Sequence, residues 1–227
     1  MSALFDDYRN SYGAVVQSSI DFSGLPHDFF MAAKADLLRE LVSAHFQIGK
    51  PSLLDVGCGV GALHPFLRGI FGRISGADVS SASIAQARAA NSGIEYRPYG
   101  GDRLPYEDAS FDMATAICVM HHVPPQGWSS FVAEMRRVVR PGGLVGVIEH
   151  NPFNPLTRLA VSRCEFDRDA VLLRARQARL LLEKAALRRV DSRYFLLLPS
   201  AHPLPRRIER AFRSLPFGAQ YAAWGMV

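Results

Sequence analysis

The chain has 227 residues, 48% of them hydrophobic and 21% charged, with 18 glycines and 14 prolines. That balance excludes a disordered tail or a collagen-like fibre. No window approaches the roughly 18 consecutive apolar residues that a membrane-spanning helix needs. The net charge of +5 is unevenly spread, with 12 basic and 15 acidic side chains in residues 1–150 against 14 and 6 in residues 151–227. The basic last third suits an anionic partner (a carboxylate, a phosphate or an acidic membrane surface) or a set of solvated arginine-rich helix faces. Aromatic and basic residues do not interleave as in a single-strand nucleic-acid groove, so no nucleic-acid partner is expected. The start MSALFDDYRNSYG lacks the basic start and apolar core of a secretion signal. With Cys58, Cys118 and Cys164 widely spaced, this predicts a cytoplasmic, disulfide-free chain whose cysteines are small packed residues.

In chain order, apolar residues at three- and four-residue steps predict a helix from Asp28 to about Phe46. A short buried strand follows at Ser52–Val56, then a second at Arg73–Asp78. A serine-capped helix is predicted over Ser81–Asn91, and strands over Ile94–Arg97 and Phe111–Val119. The amphipathic helix Trp128–Val139 ends at Arg140-Pro141-Gly142-Gly143, before a fifth strand at Leu144–Glu149. This alternation predicts an α/β fold with a doubly wound, mostly parallel sheet covered on both faces. Beyond it, Asn151–Pro155 reads as a rigid loop and Asp167–Leu187 as one long helix. Val190–Leu198 reads as a strand, Pro205–Ser214 as a short helix, and Phe217–Val227 as a last strand. No repeat or flexible linker divides the chain. The expectation is one domain over residues 1–227, with 1–48 as an N-terminal helical cap and 151–189 as an insertion after the fifth strand.

The chemistry centres on Asp55-Val56-Gly57-Cys58-Gly59-Val60-Gly61, where the first strand turns towards the first crossover. Glycines there allow dihedrals closed to other residues, let a ligand approach the backbone, and leave N–H groups free. Asp55 is placed to meet an ammonium group. Asp78 ends the second strand, where an acid can accept both hydroxyls of a ribose.

The runs LLDVGCGVG, GADVS, LPYEDASFDMATAICVMHHV and VVRPGGLVGVIEHNP resemble the class I S-adenosylmethionine-dependent methyltransferases. The resemblance is close over residues 50–150 and extends in element order over most of the rest. It implies a seven-stranded Rossmann-like sheet whose last strand is antiparallel and enters as a hairpin with the sixth. It also implies S-adenosyl-L-methionine as cofactor and an acceptor that is a small molecule or glycan- or lipid-linked. Carried onto this chain, Gly57, Cys58, Gly59 and Gly61 would line the methionine part, with Asp55 beneath it. Asp78 would hold the ribose, with Val79 beside it among the cofactor-lining positions. Gly101, Asp102 and Arg103 would border the adenine, although glycine follows Tyr99 where similar sequences commonly place an acid. Cys118 and His122 would close the other side of the methionine moiety. Tyr8 and Tyr12 would form a lid with Tyr12 on the donor, or a helical pair packed on the body.

Two rival readings use the same residues. Gly57 to Ala62 also fits the dinucleotide pattern G-x-G-x-x-A of a nicotinamide-dependent oxidoreductase. Asp55 would repel the pyrophosphate of such a ligand, whereas the ammonium and sulfonium of the methyl donor are positive. The other rival is a non-catalytic fold member serving as an interaction subunit.

Groups acting on an acceptor are expected beyond strands four and five. His150, His122 and Glu149 are the catalytic candidates, since an imidazole can take a proton near neutral pH. The plainer alternative has His122 packing on the cofactor and His121 capping a turn. His27, His45, His64 and His202 are scattered, and no metal centre is expected. Arg158, Arg163 and Arg168 are candidates for gripping an anionic acceptor.

Overall fold

A computed structural model describes residues 12–47, 49–197 and 214–227. The chain opens with helices α1 (Tyr12–Ile20) and α2 (His27–His45). Strands and helices then alternate as β1 (Ser52–Val56), α3 (His64–Leu67), β2 (Arg73–Asp78), α4 (Ser81–Ala90), β3 (Glu95–Pro98), β4 (Phe111–Ile117), α5 (Trp128–Val138) and β5 (Val139–His150). The last part holds α6 (Pro155–Arg163), α7 (Ala175–Lys184), β6 (Arg188–Phe195) and β7 (Gln220–Met226). The predicted helix at Pro205–Ser214 falls almost wholly outside the described residues. Among those described, no helix is long and apolar enough to cross a membrane.

The seven strands form one sheet in the order β3-β2-β1-β4-β5-β7-β6. Strands β1 to β5 pair in parallel, and β7 runs antiparallel to both β5 and β6. Period-two alternation splits each central strand between two cores. Leu53, Met113 and Leu144 pack with Leu37, Leu38 and Leu41 of α2 on one face. Their neighbours Leu54, Ala114 and Val145 pack with Val132 and Met135 of α5 and Leu182 of α7 on the other. Each fully buried leucine or methionine contributes about 1.5–3 kcal/mol, so the sheet is held from both sides. The strand order reverses between the parallel neighbours β1 and β4, which opens a crevice at their carboxyl ends.

Three expectations change. Strand β5 begins at Val139 rather than Leu144, because the Pro141-Gly142-Gly143 turn is drawn into the ladder across an irregularity opposite Phe111 and Met113. Any Cβ at Gly143 would run into the Asp112 carbonyl, so the close approach requires glycine. Residues 155–163 form α6, capped by the Asn154 side chain accepting the Thr157 N–H at 3.0 Å, with Pro155 at its first position. The long helix from Asp167 does not form. Glu165–Asp167 is a 3₁₀ turn, and helix resumes only at Ala175. Between them, the Val171 N–H donates to the His121 carbonyl and the Tyr221 hydroxyl donates to the Leu173 carbonyl. Those two bonds hold the segment non-helical against β7 and the end of β4.

Candidate functional site

A cavity of about 530 Å³ lies over the carboxyl ends of β1, β2, β4 and β5. Helix α1 packs against α6 across its top. Ile20, Phe22, Phe30, Leu156, Val161 and Phe166 give it an apolar wall on that side.

Its floor on the β1–β2 side is backbone and carboxylate. Gly57, Gly59 and Gly61 all take positive φ, which lets the chain double back under the cavity. Their neighbourhoods differ. A Cβ on Gly57 would meet the Val119 methyls at 2.5 Å, and one on Gly61 would meet the Tyr96 hydroxyl at 2.6 Å, whereas one on Gly59 would find nothing within 4 Å. Asp78 holds this turn. Its Oδ2 accepts the Gly59 N–H at 2.8 Å and its Oδ1 accepts the Ser80 N–H at 2.9 Å. Burial raises the Asp78 carboxyl from its ordinary value, opposed by those hydrogen bonds. Asp55 Oδ2 meets His64 Nε2 at 3.1 Å, and Tyr96 backs the same ring through Nδ1 at 2.5 Å. Among the described residues, Asp55 Oδ1 is buried without a hydrogen-bond partner, in a residue that lines the cavity. A buried carboxylate oxygen left open is a costly arrangement unless a donor or cation meets it.

The β4–β5 side is built from side chains. Cys118 leaves β4 with φ +56°, and Met120–His122 makes one 3₁₀ turn. Glu149, fully buried, accepts the N–H groups of Val119 and Met120 at 2.9 and 2.7 Å and meets His121 Nδ1 at 2.6 Å. Burial works against both charges, but each partner outweighs it for the other. His121 is raised well above its ordinary value and Glu149 is lowered. Asp167 reaches in from the 3₁₀ turn, with Oδ1 3.5 Å from His121 Nε2 and 3.3 Å from His122 Nε2. Burial and the neighbouring His121 charge push His122 down to about 4. Burial would raise the Cys118 thiol, but Lys34 and His150 outweigh it and bring it to about 7. Lys34, 6% exposed on α2, is the one lysine or arginine lining the cavity among the described residues.

Of the expected site residues, Asp55, Gly57, Cys58, Gly59, Asp78, Val79, Gly101, Asp102, Cys118, His122 and His150 all line this one cavity. Gly61 does not, since its hydrogens face Tyr96 and Asn91 between sheet and helix. Arg103 is exposed and does not line it. Glu149 lies beneath the wall, where it organises the turn after β4. Tyr12 opens α1, but its side chain, like Tyr8, lies outside the described residues. Arg158, Arg163 and Arg168 are exposed and do not line the cavity; the Arg163 guanidinium lies 5.4 Å from the ring of Phe22, which does. The sequence reading missed Lys34 and Asp167. A lone lysine in an apolar helical stripe was the available signal for the first, and none marked the second.

Residues 54–147 match the methyltransferase domain family. Over that segment the chain is similar to the class I S-adenosylmethionine-dependent methyltransferases. It is 30% identical over 109 residues to a ubiquinone biosynthesis O-methyltransferase of Burkholderia orbicola (strain MC0-3), a match covering 46% of each protein. It is also 30% identical over 124 residues to phthiotriol/phenolphthiotriol dimycocerosates methyltransferase 1 of Mycobacterium ulcerans, covering 50% of this chain and 43% of that protein. The chain thus spans about half the length of the curated relatives it matches. A solved S-adenosylmethionine-dependent methyltransferase of Thermotoga maritima superposes with a TM-score of 0.68 at 17% identity, over 100% of this chain and 99% of that one. That likeness establishes the shared fold. The cofactor of the family is S-adenosyl-L-methionine.

Proposed function

We propose that this chain binds S-adenosyl-L-methionine over the β1, β2 and β4 tips and directs its methyl group to an apolar, small-molecule or lipid-linked acceptor with an ionisable hydroxyl. The observation that carries the reading is the open Asp55 Oδ1, a buried negative atom at the cavity floor. It suits an ammonium and repels a diphosphate. Gly59 beside it leaves the room that a Cβ would take. Asp78, already anchored by two N–H groups, keeps further acceptor capacity for the hydroxyls of a ribose. Gly101 and Asp102 border the adenine end.

The cofactor supplies a methyl carbon already activated by a sulfonium. The protein therefore has to align the partners and keep water out. Helices α1 and α6 close the top and give the acceptor side its apolar wall. Lys34 provides a buried cation for a carboxylate or phenolate. His150 faces the same space and can hold the proton that a hydroxyl acceptor releases. Glu149 is a positioning residue that fixes the turn carrying His121 and His122. Support for an oxygen acceptor comes also from the Burkholderia relative, which is named as an O-methyltransferase.

The test is incubation of the purified chain with methyl-labelled donor and separate panels of apolar phenols, lipid-linked hydroxyls, amines and thiols. The expected result is S-adenosylhomocysteine formation that depends on a hydroxyl acceptor. Turnover with amines or thiols alone would overturn the acceptor class. Absence of both turnover and donor binding would overturn the whole reading.

A further inference from the structure

We infer that His121, His150 and Asp167 form a binding site for one divalent transition-metal ion in the cavity wall. One donor atom from each lies within 4.8 Å of the other two. They come from the turn after β4, the end of β5 and the 3₁₀ turn that replaces the expected helix start, so three separate segments converge on one point.

Asp167 Oδ1 is the informative atom. Among the described residues it is buried without a hydrogen-bond partner, although His122 Nε2 and His121 Nε2 stand 3.3 and 3.5 Å away. A hydrogen bond between an imidazolium and a carboxylate would close to roughly 2.7–2.9 Å, as His121 Nδ1 does with Glu149 at 2.6 Å. Donor atoms that each sit 2.0–2.2 Å from a tetrahedral ion stand roughly 3.3–3.6 Å apart. The 3.5 Å between Asp167 Oδ1 and His121 Nε2 falls in that range, and an ion bound there removes the cost of an open buried oxygen.

The surroundings fit the same reading. A ligating histidine gives its other ring N–H to a carboxylate, which fixes tautomer and orientation. Glu149 occupies that place behind His121 Nδ1, itself held by the Val119 and Met120 N–H groups. Two imidazoles and one carboxylate select a borderline ion such as Zn²⁺, Fe²⁺ or Co²⁺ over Mg²⁺ or Ca²⁺, which prefer oxygen. His121, His150 and Asp167 all line the cavity, leaving a coordination position for an acceptor oxygen. Two neutral imidazoles, one carboxylate and a divalent ion carry a net single positive charge, which favours an ionised hydroxyl. That acceptor role rests on the methyl-transfer reading, whereas ion binding does not.

The test uses the tag-free full chain, stripped with a chelator and titrated with Zn²⁺ against a chromophoric competitor and with Co²⁺ by visible spectroscopy. The expected result is one equivalent of either ion and the intense visible bands of tetrahedral Co²⁺. Asp167→Asn and His150→Ala should each weaken binding by about 10- to 100-fold or more. Circular dichroism checks the fold of both variants, and His150→Ala, at the half-buried cavity edge, remains informative if Asp167→Asn misfolds. Absence of stoichiometric binding, or binding unchanged in His150→Ala and in a folded Asp167→Asn, would overturn the site. S-adenosylhomocysteine affinity measured on the same stripped chain keeps this outcome separate. Donor binding without metal binding overturns only the metal site, and metal binding without donor binding overturns only the proposed function.

Discussion

The two ends of the cavity are built on opposite plans. At the β1–β2 tips the ligand surface is main chain, Gly57 and Gly59 at positive φ steadied by the Asp78 carboxylate. At the β4–β5 tips it is side chain, with His121, His122, His150, Glu149 and Asp167 drawn from three segments into one charged cluster. The first plan suits a constant ligand, because backbone geometry tolerates little substitution. The second suits a variable one, because each side chain can change without rebuilding the turn. A shared methyl donor at one end and a chain-specific acceptor at the other follow that division.

The comparison can be broken most forcefully at Glu149. Glu149→Ala leaves two N–H groups and the His121 charge without their partner, and should cost about 3–5 kcal/mol of stability, read as a fall in denaturant midpoint. A loss well under that would mean the β4–β5 cluster is not held from beneath. His150→Ala should lower turnover about 100-fold while leaving donor affinity unchanged, as separate kinetic and titration measurements would report. Equal losses in both would erase the division between the two ends. Within the backbone end, Gly57→Ala should lose about 2 kcal/mol of stability from its positive φ and the Val119 contact. Gly59→Ala, with open space around its Cβ, should lose less stability and more donor affinity. Smallest of all, Asn154→Ala removes the cap of α6 and should cost about 1 kcal/mol, visible as a modest shift in the thermal midpoint.

The same division decides what was legible in the sequence. Strands β1 and β2 fall where the apolar runs put them, and the Asp55–Gly61 turn announces its chemistry within seven residues, because the cause is local backbone freedom. Asp167 was unreadable for the opposite reason. The apolar spacing of Val171, Leu172, Ala175 and Ala178 fits a helix, and what prevents it is bonding to His121 and Tyr221, each about 50 residues away along the chain. The early start of β5 depends likewise on Gly143 touching the carbonyl of Asp112 across the sheet. Helix α6 was legible in principle, since Asn154-Pro155 is a capping residue followed by a first-turn proline, but those two residues read as the end of a rigid loop and no element was assigned to 156–163.

Asp78 is a poor probe of the donor site, since removing it also frees the Gly59 turn. Asp55→Asn is cleaner, for it keeps the shape beside His64 and removes only the charge. Calorimetric titration of both forms with S-adenosyl-L-methionine is therefore the most direct measurement. One donor per chain, weakened tenfold or more in Asp55→Asn (about 1.4 kcal/mol), is the result expected. A wild-type chain that binds a nicotinamide dinucleotide instead, or an Asp55→Asn chain with undiminished affinity for the donor, would contradict the account.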